Sequence, residues 1–143
     1  SYTLSSGQKA SLVTAEWDVM SVTHSRSGRY RVSAINADAS TQLTILDQQA
    51  GTPLAVSGLP DGDVTQVRFN RDETQAAVLV ASDTSPADVF IVDLANGSSR
   101  RLTTALNPAV DESMLVTATI ARFASYDGVE IPGVLYRPRT ATA

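Results

Sequence analysis

Leu46-Asp47-Gln48-Gln49-Ala50-Gly51 returns 46 residues later as Val92-Asp93-Leu94-Ala95-Asn96-Gly97. In each copy an apolar run ends on Asp, and a Gly follows four residues on, where the next run opens. Working upstream, Ser25-Arg26-Ser27 matches Asn70-Arg71-Asp72, and Asp18-Val19 matches Asp63-Val64, both at a shift of 45. A partial earlier copy precedes them: Tyr2-Thr3-Leu4-Ser5-Ser6-Gly7, then Ala10-Ser11-Leu12-Val13, with Gly7 in the place of Gly51.

The residues within each copy alternate with the period of strands rather than helices. Tyr30, Val32 and Ala34 share one face of Arg29–Ile35. The first unit is expected to use strands over 19–23, 29–35, 42–47 and 53–57, and the second over 65–69, 75–82, 88–94 and 99–103. Turn-forming clusters separate them at Ser25–Gly28, Asn36–Ser40 and Gln48–Gly51. Four short strands repeating at about 45 residues are the mark of a β-propeller blade. Such a sheet has two apolar faces and must stack against neighbours to cover them.

The pattern changes after Asn107-Pro108. Two further β-rich runs, 115–125 and 129–136, flank Asp127-Gly128, which predicts a hairpin with a two-residue type I′ turn. The chain is therefore read as all-β. Residues 1–107 form a partial propeller, with blades at about 18–60 and 63–104, and 108–143 form a linker and a hairpin.

Of the 143 residues, 43% are hydrophobic and 18% charged, as in a folded globular protein. A net charge of −4 leaves no overall basic footprint, so nucleic acid is not an expected partner. There is no cysteine, which excludes disulfides and zinc–thiolate sites. No apolar run approaches the roughly 20 residues that a membrane helix needs, so a membrane is not an expected partner either. The sequence starts without Met and ends on the small, polar 139–143, and both ends suggest a segment of a longer chain.

Few residues invite a chemical reading. His24 is the sole histidine, yet no GxSxG nucleophile elbow exists for it to serve. Asp61, Asp63 and Asp72 lack the longer oxygen-rich loop that calcium uses, and read as turn residues. Asp111-Glu112 has the form of a paired-carboxylate site for a peptide amino terminus, but reads better as a solvated linker. Trp17 is expected to pack between blades rather than line a channel, and Arg100-Arg101 to face solvent on an outer strand. No catalytic, cofactor-binding or metal residue is assigned, and no cofactor is expected.

Arg101-Leu102-Thr103, Asn107-Pro108, Phe123-Ala124-Ser125-Tyr126-Asp127-Gly128-Val129-Glu130-Ile131-Pro132 and Leu135-Tyr136-Arg137-Pro138 together resemble a known junction. It is the point where the propeller of the prolyl oligopeptidase family of serine peptidases meets its α/β-hydrolase domain. The acylaminoacyl-peptidase and dipeptidyl-peptidase-like members are the most similar.

The resemblance implies that the hairpin opens a hydrolase domain whose Ser, Asp and His lie beyond this chain. It also implies a propeller that covers the active site and admits short peptides. The expected role is a non-catalytic propeller segment of such a peptidase, with the remainder of its parent as partner and peptides as ligands of that parent. The rivals are a propeller piece that assembles with copies of itself into a binding module, and a structural fragment with no independent role. Nothing in the sequence selects between a cytoplasmic parent and a periplasmic or secreted one.

Overall fold

A computed structural model describes residues 1–37 and 40–141. Among them the chain is all strand and loop, apart from one 3-10 turn at Glu112–Met114. Strands β3 (Asp18–His24), β4 (Tyr30–Ala37), β5 (Ser40–Asp47) and β6 (Thr52–Pro53) form one antiparallel sheet in chain order. Strands β7 (Asp63–Phe69), β8 (Gln75–Ser82), β9 (Ser85–Asp93) and β10 (Ser99–Arg101) form a second in the same order. Two hairpins flank these meanders: β1 (Tyr2–Thr3) with β2 (Gln8–Lys9), and β11 (Thr119–Ala124) with β12 (Glu130–Leu135). The early copy read around Gly7 corresponds to the first hairpin.

The repeat extends to irregularities. The register slips between Val19 and Ser21 in the first sheet and between Val64 and Gln66 in the second, at equivalent positions. Asp47 Oδ1 accepts the N–H groups of Gln49 and Ala50 at 2.9 and 3.2 Å. Asp93 Oδ1 accepts those of Ala95 and Asn96 at 2.8 and 3.2 Å. This is why an Asp closes the third strand in both copies: its carboxylate satisfies donors that the turn leaves unpaired.

Alternation places the core. Tyr30, Val32 and Ile45 of the first sheet meet Ala76, Val78, Val80, Phe90, Val92 and Leu94 of the second in one buried cluster. Burial of each aliphatic side chain of this size is worth about 1.5–3 kcal/mol. The Tyr30 and Phe69 rings stack across the sheets with centroids 5.7 Å apart. Backbone bonds also cross, with Ser57 N–H donating to Gly97 O at 2.9 Å and Ser99 N–H to Ser57 O at 3.0 Å.

Several expectations need correction. The fourth strand of the first unit is two residues long, not five: after Pro53, which has no N–H, the chain peels away to bridge the second sheet at Ser57. Strand β9 starts at Ser85 rather than Asp88, with Pro86 near its first residue. The Asp127-Gly128 turn is not type I′, which needs positive φ at both central residues. Gly128 alone has it, at φ 82, and its N–H donates to Ser125 O at 3.0 Å. That is a three-residue loop with a left-handed third position, and its strands are shorter than expected. Trp17 is 45% exposed and stands outside the inter-sheet core. The turn expected at Asn36–Ser40 is narrower than read, because Asn36 and Ala37 pair in β4 with Thr41 and Ser40 of β5; Asp38 and Ala39, like Thr142 and Ala143 of the tail, lie outside the described residues.

Candidate functional site

The densest polar cluster forms around Asp88, a residue to which sequence reading attached no role. Asp88 sits on β9 at 1% exposure. Its Oδ1 accepts the Thr103 hydroxyl at 2.6 Å and the Ala105 N–H at 2.9 Å. Its Oδ2 is held by the Arg101 guanidinium and by Ser85 Oγ at 3.3 Å. The Thr103 hydroxyl, followed by the Arg101 guanidinium, brings the Asp88 carboxyl down to a pKa of about 2. Arg100 and Arg101 are both exposed, as expected of an outer strand, but the Arg101 side chain, 38% exposed, also reaches a buried carboxylate. The bond could not be read from strand periodicity, because it joins residues 13 apart on neighbouring strands.

Beside this cluster lies a cavity of about 330 Å³, walled by Leu59, Pro60, Val80 and Phe90 and rimmed by Arg101 and Glu112. Asp88 and Arg101 neutralise each other there, so the pair fastens β10 and the 103–105 segment to β9. Asp111 caps the short 3-10 turn, accepting the Ser113 N–H at 3.0 Å and hydroxyl at 2.7 Å, while Glu112 is exposed.

A second polar contact holds the terminal hairpin. Asp83, in the β8–β9 turn, accepts the Ala118 N–H at 2.8 Å and the Tyr136 hydroxyl at 2.6 Å. The Tyr136 hydroxyl, followed by the Ala118 N–H, lowers the Asp83 pKa, and the same hydrogen bond raises that of Tyr136. Much of the rest of the hairpin faces outward: Ile120, Phe123, Val129 and Val134 are 43–58% exposed.

His24 is exposed at the end of β3, in a cavity whose lining residues include no carboxylate to orient it as a base. Asp63 Oδ1 accepts the Thr41 N–H at 3.1 Å, another tie between the sheets. Asp72 lies in the β7–β8 turn. Among the described residues no three His, Cys, Asp or Glu side chains converge as they would around a metal ion. No helix among them is long and apolar enough to cross a membrane.

No protein-family profile matches the sequence, and no curated protein does. Solved structures do match. Prolyl oligopeptidase B from Galerina marginata superposes with a TM-score of 0.69 at 15% identity, over 90% of this chain and 18% of that one. Dipeptidyl peptidase 4 from Porphyromonas gingivalis gives 0.66 at 16%, over 93% of this chain and 19% of that one. A puromycin hydrolase gives 0.60 at 21%, over 74% and 16%. At these identities the likeness is one of fold. The chain spans less than a fifth of the length of each of these three proteins.

Proposed function

We propose that this chain is a non-catalytic propeller segment of a serine peptidase of the prolyl oligopeptidase family, and that in the whole enzyme it covers and gates the active site. The observation that carries this reading is the match to three such hydrolases over as much as 93% of the chain, at under a fifth of their length. Residues 1–107 are then wall, and 108–143 lead into the catalytic domain. Two features support the division. The hairpin is anchored to the second sheet through Asp83, and its outward apolar side chains are suited to packing against a further domain.

The proposal gives the isolated chain no hydrolytic activity. Purified chain is incubated with activated esters and acyl-peptides, and the mass of the source protein is measured. Expected are no turnover and a source protein several times heavier than 15.1 kDa. Turnover that survives repurification and is abolished by a serine-directed inhibitor would overturn the non-catalytic role. A native 143-residue product would instead favour the self-assembling binding module.

A further inference from the structure

The two sheets place an arginine at the same point of the turn after their first strand, Arg26 and Arg71, 45 residues apart. Arg68 on β7 and His24 on β3 stand beside them, and all four line one cavity of about 450 Å³. None of the lining residues is Asp or Glu. In a chain of net charge −4, three of the ten arginines thus gather around an acid-free cleft.

No ion pair ties the neighbouring acids to them. Arg26 and Arg71 also border an adjoining cavity that holds Asp72 and Glu73, but the Glu73 carboxylate is directed to the Ser27 N–H and hydroxyl. Among the described residues the ion pairs with assigned partners join Arg29 to Asp47, Arg101 to Asp88 and Arg122 to Glu130, leaving Arg26, Arg68 and Arg71 without a carboxylate. Guanidinium groups offer planar donor pairs that match the two oxygens of a carboxylate. Arg26 and Arg71 sit on equivalent turns of the two sheets and line one cavity, so the sheet-to-sheet packing sets their spacing.

The place of the cleft in the fold bears on its use. Strand β8 runs from the 70–74 turn to the turn holding Asp83, so the cleft and the terminal hairpin lie at opposite ends of the second sheet. Eight extended residues separate those ends by about 25 Å. A ligand here would be met on the side remote from the catalytic domain.

We infer that this cleft binds the carboxylate of a peptide, at its C-terminus or on an Asp or Glu side chain, through Arg26 and Arg71 with Arg68 beside them. The peptide nature of the ligand rests on the peptidase reading; the preference for an anion rests on the cleft alone.

The test titrates the full chain with a short peptide ending in Asp-Glu, with its neutral Asn-Gln-amide analogue, and with inorganic phosphate. The acidic peptide is expected to bind, the neutral one at least tenfold more weakly, and added salt or phosphate to compete. Arg26→Gln with Arg71→Gln should weaken the acidic peptide at least tenfold, while Arg100→Gln on β10 leaves it unchanged. Equal binding of the two peptides, undiminished binding by the double variant, or a response to phosphate with none to the peptide would overturn the inference. The peptide comparison needs no variant, so it decides the matter even if the turns reject substitution. The peptidase reading stands or falls separately, on the source-protein mass.

Discussion

Glu73 and Ser27 join the two sheets: the Glu73 carboxylate accepts the Ser27 N–H at 2.6 Å and the Ser27 hydroxyl at 2.5 Å. The two residues sit in equivalent turns, and Glu73 occupies the position that Gly28 holds in the first copy. Glu73 takes a left-handed φ of 52 there, a conformation that favours glycine. A strained backbone is thus kept where its side chain can reach the neighbouring sheet. The Ser27 hydroxyl, and then its N–H, hold the Glu73 carboxyl below its ordinary pKa of 4.5.

Two substitutions separate strain from contact. Glu73→Ala loses the tie and retains the strain, so it should have the lowest melting temperature. Glu73→Gly loses the tie and relieves the strain, so it should melt between Glu73→Ala and the parent. Thermal melts at neutral pH check the order. A Glu73→Ala protein that melts with the parent would show that the tie contributes nothing.

Asp88 makes the fold sensitive to acid. Its folded pKa of about 2 lies below the ordinary 3.8, so the charged form is favoured by folding. That contribution is fully present above about pH 4 and is lost as pH falls toward 2. Thr103→Val removes the largest cause of the shift and should raise the Asp88 pKa while lowering stability at neutral pH. Carboxyl chemical shifts followed from pH 5 to pH 1 read this directly. Titration of the parent Asp88 near 3.8 would contradict the network described here.

Gly51 and Gly97 are equivalent, with φ of 70 and 74, yet their surroundings differ. A Cβ on Gly51 would meet nothing within 4 Å, whereas one on Gly97 would lie 1.9 Å from the Ala55 carbonyl oxygen. Gly51→Ala should therefore cost the backbone strain alone, about 1–2 kcal/mol. Gly97→Ala must also push the 55–57 segment off the second sheet, and should cost at least twice as much. Urea denaturation compares them, and equal losses would mean that the crossing at Ser57 yields freely.

Both sheets end in open edges, at β3 and β6 and at β7 and β10. Met20, on β3, adds apolar surface to one of those edges at 63% exposure, and Phe123 adds more on the terminal hairpin at 57%. Open edges and exposed apolar groups recruit other chains. The isolated chain should therefore be a dimer or larger, which sedimentation at several concentrations measures. A mass of 15.1 kDa at every concentration, with a cooperative melt, would mean that the chain covers its own core.

The meander was legible because each turn carries its own chemistry. Asp47 and Asp93 announce the third-strand ends, and Tyr30, Val32 and Ala34 alternate into the core as read. What escaped depends on contacts between distant residues. Arg101 does face solvent, but its partner Asp88 is visible only once β9 is brought beneath it, and β6 looks longer until Ser57 is claimed by the next sheet. The Asp127-Gly128 dipeptide marks a hairpin in either loop form. Its type is set by the Ser125 carbonyl, which accepts from Gly128 and adds a residue to the loop. The basic cleft escaped because Arg26 and Arg71 meet only after the two copies stack.

On the proposed function, these sheets belong to a serine peptidase whose catalytic residues lie outside residues 1–143. The most direct test is to read the coding sequence of the source gene beyond Ala143. Expected there is a GxSxG elbow on a strand-to-helix turn, followed by an Asp and then a His. A reading frame that stops at Ala143, or continues without such an elbow, would contradict it.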